Sequence, residues 1–164
     1  MKLFFFALFA AVGVVSAGTV FIEKAGITLD YPDSWTPNIP DISEIPLNAC
    51  LPRLTKDNRF IIDAVLWRES PSLEEAVDQY VERLLRVSKE AKSIKIIERD
   101  RFVAASGLEG IRFQMQTSMT KECRSSIYLL RYVFRNSKNR IVCLGGFGDH
   151  EEIDKIVLNS VTLK

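Results

Sequence analysis

The side chains best suited to acid–base or metal chemistry surround His150, the single histidine of this 164-residue chain. It lies in the segment Gly148-Asp149-His150-Glu151-Glu152, where an imidazole and carboxylates could act as a general base or bind a metal ion. Neighbouring residues of a helix point about 100° apart, so these side chains diverge. No Gly-x-Ser-x-Gly nucleophile pattern occurs either. We therefore expect no catalytic residue, no metal site and no cofactor.

A glycine-rich segment, Gly145-Gly146-Phe147-Gly148, lies between a predicted strand and a predicted helix. Such segments can cradle phosphate, but the Lys-Ser/Thr pair of a P-loop is missing and Asp149 places negative charge where an anion would bind. The segment instead predicts a tight turn with close backbone packing.

Three cysteines allow at most one disulfide within the chain. Cys50 and Cys123 fall in predicted loops, whereas Cys143 lies in an apolar strand, where a reduced cysteine behaves as a small hydrophobic residue. Two arrangements stay open: a disulfide between Cys50 and Cys123, or none. No Cys-x-x-Cys motif indicates redox catalysis.

Basic residues are concentrated in the middle of the chain. Residues 92–140 carry 11 basic and 4 acidic side chains, a net charge of +7, whereas residues 18–91 carry 8 and 13, a net charge of −5. One interpretation is a basic surface that binds an acidic partner; the other is a solvated sheet face that the acidic helix balances. Arg131 and Arg135 share a strand face in the first interpretation. The candidate partner surface comprises Lys121, Arg124, Arg131, Arg135, Lys138 and Arg140.

The N-terminus has the pattern of a secretory signal peptide. Lys2 precedes 13 apolar residues, Leu3 to Val15, and small residues follow up to Ala17. Because a bilayer span needs about 20 apolar residues, cleavage after Ala17 is favoured over a membrane anchor. We expect export to the periplasm or the exterior, with residues 18–164 forming one domain.

The remaining sequence alternates short β-favouring runs with two helical patterns. Apolar residues with 3.6-residue spacing predict a helix over 72–89, capped by Ser72 and Glu75, and a second helix over 149–160 that ends the fold. Four prolines predict a long irregular connection over 36–59 that wraps the sheet edge. Strands are predicted over 19–24, 27–31, 60–67, 94–105, 111–116, 128–135 and 140–147. This order favours an α+β fold, an antiparallel sheet flanked by two helices.

Several of these segments resemble a known family. Ile27 to Trp35 is similar to the opening strand and Pro-x-x-Trp turn of the PsbP-like and DcrB-like secreted proteins, which share the Mog/PsbP α-β-α sandwich. The helix from Ser72 to Val77, the segment Gly107 to Phe113, the strand Tyr128 to Phe134 and the closing Ser160 to Leu163 follow in matching order. No segment matches a photosystem-docking extension, so the resemblance does not imply a photosynthetic role.

The resemblance implies a non-enzymatic envelope or lumenal protein that acts in binding or assembly. We therefore expect a monomeric module for another envelope component, whether protein, lipid or glycan. Export and a near-neutral charge disfavour nucleic acid. One alternative is a carrier of a small apolar or lipid ligand, with Phe113, Tyr128, Tyr132 and Phe134 on a concave face. A third is a hydrolase that brings together carboxylates such as Asp30, Asp63 and Glu98.

Overall fold

The computed structural model describes residues 18–38, 53–56, 60–67, 71–87, 91–119 and 126–164. In chain order, its strands and helices are β1 (Gly18–Ile22), β2 (Ile27–Tyr31), β3 (Thr36–Asn38), β4 (Arg53–Lys56), β5 (Phe60–Leu66), α1 (Leu73–Val87), β6 (Ala91–Val103), β7 (Glu109–Met119), β8 (Ile127–Arg135), β9 (Ile141–Phe147), α2 (His150–Ser160) and β10 (Thr162–Leu163). A 3-10 turn, Glu23–Ala25, joins β1 to β2.

Within these ranges, seven strands form a large antiparallel sheet in the spatial order β3-β4-β5-β9-β8-β7-β6. The chain-consecutive strands β6 to β9 are neighbours, which confirms the predicted meander. In β7, Ile111, Phe113 and Met115 are buried while the intervening Arg112 and Gln114 are half-buried. This alternation is the two-residue period that the sequence shows.

The first hairpin does not join the large sheet. Strands β1 and β2 pair with each other, and β10 pairs with the other side of β2, so the described residues form a second, three-stranded sheet in the order β1-β2-β10. Apolar residues of this small sheet, including Ile22, Ile27 and Leu29, are buried against the large sheet.

Helix α1 covers one face of the large sheet. Ala76, Val77 and Tyr80 pack against a cluster that includes Phe113 and Val133. The predicted capping box is confirmed, since the Ser72 backbone N–H donates to Glu75 at 2.8 Å and the Glu75 N–H donates to the Ser72 hydroxyl at 3.1 Å. The hydrogen bond from the Ser72 backbone N–H, more than that with the Ser72 side chain, lowers the pKa of the Glu75 carboxyl.

Helix α2 and the small sheet together cover the opposite face. Ile153, Ile156 and Val157 of α2 are buried in the same cluster as Leu130 and Tyr132 of β8. The result is an α+β sandwich in which the large sheet is buried on both sides, so the predicted fold class is confirmed. None of the helices in the described ranges has the length and apolar character needed to cross a membrane.

A polar network ties α2 to the sheet beneath it. Arg112 of β7 donates to both carboxylate oxygens of Asp154 on α2, at 3.0 and 2.9 Å, and to Glu98 of β6 at 2.9 Å. The buried Tyr132 hydroxyl also donates to Asp154. The hydrogen bond to Asp154, more than the other contacts, raises the pKa of Arg112 above its usual range. Partly buried charges held in this way fix the helix in one position on the sheet.

The connection over 36–59 was predicted to be irregular throughout, which is wrong for two parts of it. Strands β3 and β4 pair with each other and extend the large sheet beyond β5. Pro37 is compatible with this position because β3 is an edge strand. Residues 39–52 lie outside the described residues.

The chain also does not finish with α2. After Val161 it returns to an extended conformation, and β10 pairs with β2, opposite Ile27 and Thr28. Two residues are too short a run for period-two alternation to be recognised, so the sequence pattern gave no sign of this strand.

We expect Asp154→Ala to lower the free energy of unfolding by about 2–3 kcal/mol, because it leaves a partly buried guanidinium and a buried hydroxyl without their acceptor. Urea denaturation followed by circular dichroism measures the change. Glu151→Gln is the matched control, since it removes an exposed ion pair with Lys155 on the same helix and should leave the midpoint unchanged. Equal effects of the two substitutions would contradict the structural role of Asp154.

Candidate partner-binding surface

The hairpin between β8 and β9 carries three of the predicted partner-binding cations. Lys138 and Arg140 are exposed in the turn, and the half-buried Arg135 lies at the end of β8. Arg135 donates to the backbone carbonyls of Asn139 at 3.1 Å and Pro71 at 2.8 Å. These two hydrogen bonds hold the guanidinium in place, and because both acceptors are carbonyls they do not neutralise its charge.

Asn136 fixes the shape of this hairpin. Its side chain is 5% exposed, and its oxygen accepts from the backbone N–H groups of Lys138 at 3.0 Å and Arg140 at 2.9 Å. Its amide nitrogen donates to the carbonyl of Ala25 at 2.8 Å, in the turn between β1 and β2. One buried side chain thus closes the hairpin and attaches it to the small sheet.

This attachment brings two further cations to the same end of the molecule. Lys24 precedes Ala25 in the 3-10 turn, and Ser137 donates to the carbonyl of Lys164. The ammonium of Lys164 lies 4.8 Å from the ring centroid of Phe21, over its face. Neither lysine could be placed here from the sequence, because the contacts that bring them to the hairpin span 111 residues from Asn136 to Ala25 and 27 residues from Ser137 to Lys164.

We call this set the basic end: Lys24, Arg135, Lys138, Arg140 and Lys164. Among the described residues, no ion pair joins any of the five to a carboxylate. Several cations elsewhere are paired, as in Arg99 with Asp78 and Arg101 with Glu74. Glu23, beside Lys24, and Glu109, at the start of β7, are exposed acids near this end, and the five cations outnumber them.

Arg131 does not belong to an exposed basic surface, which corrects the sequence prediction. It is 5% exposed and lies on the sheet face that α1 covers, where it donates to the Gly145 carbonyl at 2.6 Å and stacks 5.2 Å from the Tyr80 ring centroid. The burial follows from strand position, because both faces of β8 are covered. Lys121 and Arg124 lie outside the described residues.

The acidic segment around His150 is distributed among separate structural roles. Asp149 caps α2 by accepting from the N–H groups of Glu151 and Glu152, at 2.9 and 3.2 Å. The carboxylate of Glu152 accepts from Trp35 at 2.9 Å and from Lys56 at 2.8 Å, and that of Glu151 accepts from Lys155. The side chains diverge, as helical geometry predicts. Across the described ranges, no group of three potential ligands could hold a metal ion.

The glycine-rich segment is a point of close packing. Gly145 has φ 134°, and a Cβ there would lie 2.2 Å from the Leu130 carbonyl oxygen. Gly148 has φ 143° at the turn into α2. Three of the four residues belong to β9, so the predicted strand-to-helix turn is confined to Gly148, and the Asp149 carboxylate occupies the helix N-terminus that follows it.

The aromatic residues considered for a ligand-binding face do not share one. Phe113 is buried beneath α1, whereas Tyr132 and Phe134 are buried on the opposite face of the sheet. Tyr128 is exposed and accepts a hydrogen bond from Gln116 at 3.2 Å. The prediction of one concave aromatic face is therefore wrong, because strand alternation separates these residues.

The remaining candidate residues show no second site within the described ranges. Asp30 accepts from Thr19 at 2.7 Å in the small sheet, Glu98 accepts from Arg112 in the large sheet, and the side chain of Asp63 lies outside the described set. Cys143 is buried in β9, as expected. Cys50 and Cys123 lie outside the described residues, so their disulfide stays a prediction.

The large sheet covered by α1 on one face, and by α2 with a small sheet on the other, defines a PsbP-like α+β sandwich. A match among solved structures is the solution structure of the cyanobacterial PsbP protein CyanoP from Synechocystis sp. PCC 6803, with a TM-score of 0.66 and 12% identity over 94% of this chain and 96% of that one. The predicted PsbP-like fold is thereby confirmed. No protein-family model and no curated protein matches the sequence.

We expect Asn136→Ala to lower the free energy of unfolding by about 2 kcal/mol, since it leaves three backbone groups without their side-chain partner. It should also speed amide hydrogen exchange at Lys138 and Arg140. In Asn136→Asp the oxygen acceptor is retained, so that exchange should stay slow even though the donor to Ala25 is lost. Fast exchange in both variants would show that the side-chain oxygen does not hold the turn.

Proposed function

We propose that this protein is a non-catalytic binding module of the cell envelope, which uses the basic end to bind an acidic surface of another envelope protein. The observation that carries the proposal is a set of five cations that have no carboxylate partner among the described residues and are held at one end by the contacts of Asn136 and Ser137. Fixed charges of one sign speed association with an opposite surface and align the two partners.

Neutralised cations elsewhere in the molecule support this choice of surface. Arg99 and Arg101 of β6 pair with acids of α1, and Arg112 pairs with Glu98 and Asp154. These contacts neutralise three of the cations of β6 and β7 within the fold itself. These cations of β6 and β7 therefore fit the interpretation of a sheet face that the acidic helix balances. The basic end fits the interpretation of a surface that binds an acidic partner.

A non-catalytic role fits the arrangement of the polar residues. Among the described residues, the carboxylates of Glu98, Asp149 and Glu152 each have a structural partner, and they do not converge on a common point. The PsbP-like fold and the signal-peptide pattern of residues 1–17 support a place in the periplasm or outside the cell. The fold is compatible with a role in binding or assembly, and the basic end is the surface at which we expect the partner to bind.

We expect the double substitution Lys138→Glu/Arg140→Glu to weaken binding to poly-L-glutamate by roughly tenfold or more at low salt, because it inverts the charge of the exposed turn. Fluorescence anisotropy at two sodium chloride concentrations measures the affinity and its salt dependence. Arg83→Glu/Arg86→Glu is the matched control, with the same charge change on exposed cations of α1. An equal loss in both variants would mean that net charge alone determines binding.

Mass spectrometry of the protein isolated from its own source tests export and cysteine pairing together. The expected chain begins at Gly18, and one Cys50–Cys123 disulfide lowers its mass by about 2 Da relative to the reduced form, since two hydrogens are lost. A chain that still carries residues 1–17 would contradict cleavage after Ala17. A mass equal to that of the reduced form would contradict the disulfide.

A further inference from the structure

We infer that the open edge of β10 binds an extended segment of an acidic partner protein, which adds a fourth strand to the small sheet. This inference rests on the proposed function, because it describes how a partner that reaches the basic end is held there. It concerns a backbone edge, a groove and a charge pattern that lie together at that end.

The backbone of Leu163 is directed towards this open edge. The Lys164 N–H donates to the Gly26 carbonyl at 2.9 Å, and Leu163 lies opposite Ile27 in the same antiparallel register. Antiparallel pairs alternate between those that exchange hydrogen bonds and those that do not. Because Lys164 belongs to a bonded pair, Leu163 points its N–H and C=O away from β2, and neither group has a partner in the described part of the chain.

A groove of about 500 Å³ follows this edge. Thr162 and Leu163 form one wall, and the β6–β7 turn, residues 106–109, forms the other. The second wall is fixed to the end of α2, because the Ser106 hydroxyl donates to the Val161 carbonyl at 2.6 Å and the neighbouring Ala105 N–H donates to the Leu158 carbonyl at 2.7 Å. The space beside the edge is therefore preformed.

The groove also presents apolar surface to an incoming strand. Leu163 is 39% exposed, and Leu108 on the opposite wall is half-buried against the core. Every second side chain of an added strand would face these two residues. An occupant with apolar residues at alternate positions is therefore favoured.

Charge determines which residues should alternate with the apolar ones. Lys164 follows β10 directly, and Ser137 joins it to the hairpin that carries Lys138 and Arg140. Glu109 is the one acid among the residues that line the groove. A strand that alternates acidic and apolar residues satisfies both the basic end and the groove, and main-chain hydrogen bonds to Leu163 would hold it in register.

The test compares Leu163→Pro with Leu163→Ala in the purified protein, with the peptide acetyl-(Glu-Val)3-amide as the probe. Proline removes the outward N–H at a strand-edge position that tolerates it, while alanine removes the same apolar side chain and keeps the N–H. We expect binding to weaken roughly tenfold or more in Leu163→Pro and no more than about threefold in Leu163→Ala. In the unsubstituted protein, the peptide should slow amide hydrogen exchange at Leu163.

A second probe keeps the result decisive even if Leu163→Pro is less stable. The peptide acetyl-Glu-Pro-Glu-Pro-Glu-Val-amide has the same charge, but its prolines have no N–H to donate to a strand edge, so it should bind the unsubstituted protein much more weakly. Equal binding of both peptides, or NMR shifts confined to residues 138–140, would overturn the inference. If Lys138→Glu/Arg140→Glu still weakened binding in that case, the proposed function would stand without strand addition.

Discussion

The burial of strand β8 on both faces is the constraint on which the rest of the fold depends. Leu130, Tyr132 and Phe134 point towards α2 and the small sheet, whereas Arg131 and Val133 point towards α1. A strand in the middle of a sheet with two apolar faces needs a covering layer on each side. The elements on either side of the meander form those layers. Helix α1, which precedes it, covers one face, and α2, which follows it, covers the other together with the small sheet.

The same constraint explains why a charged residue lies in the core. Arg131 occupies an inward position of β8, so its guanidinium needs acceptors and a flat surface inside the fold. The Gly145 carbonyl and the Tyr80 ring supply them, and Gly145 can approach only because it has no side chain. Arg112, on the neighbouring strand β7 and on the other face, likewise finds an acceptor in Asp154. Each covering layer is thus positioned by an arginine as well as by apolar contacts.

Periodicity alone predicted most of this architecture, because the long elements repeat their pattern several times. The helix starting near Ser72 and the alternation in β7 are of this kind. Short elements such as β10 give no repeat to recognise, and the division into two sheets depends on contacts between distant segments.

The basic end could be predicted from the sequence only in part. Lys138 and Arg140 were found from their clustering, whereas Lys24 and Lys164 join them only through the contacts of Asn136 and Ser137. Arg131 was misplaced because alternation identifies which residues share a face but not which face reaches solvent.

The pairing of β2 with β10 has a consequence for the order of folding. Ser160 exchanges hydrogen bonds with the backbone of Asp30, 130 residues earlier, and the small sheet is completed by residues 162 and 163. Closing so long a loop is slow, and it cannot start until residues 160–163 have been synthesised. The meander can pair locally before that, while the first hairpin still lacks its third strand. The hairpin that is synthesised first is therefore among the last parts of the fold to be completed, and the order of synthesis is not the order of folding.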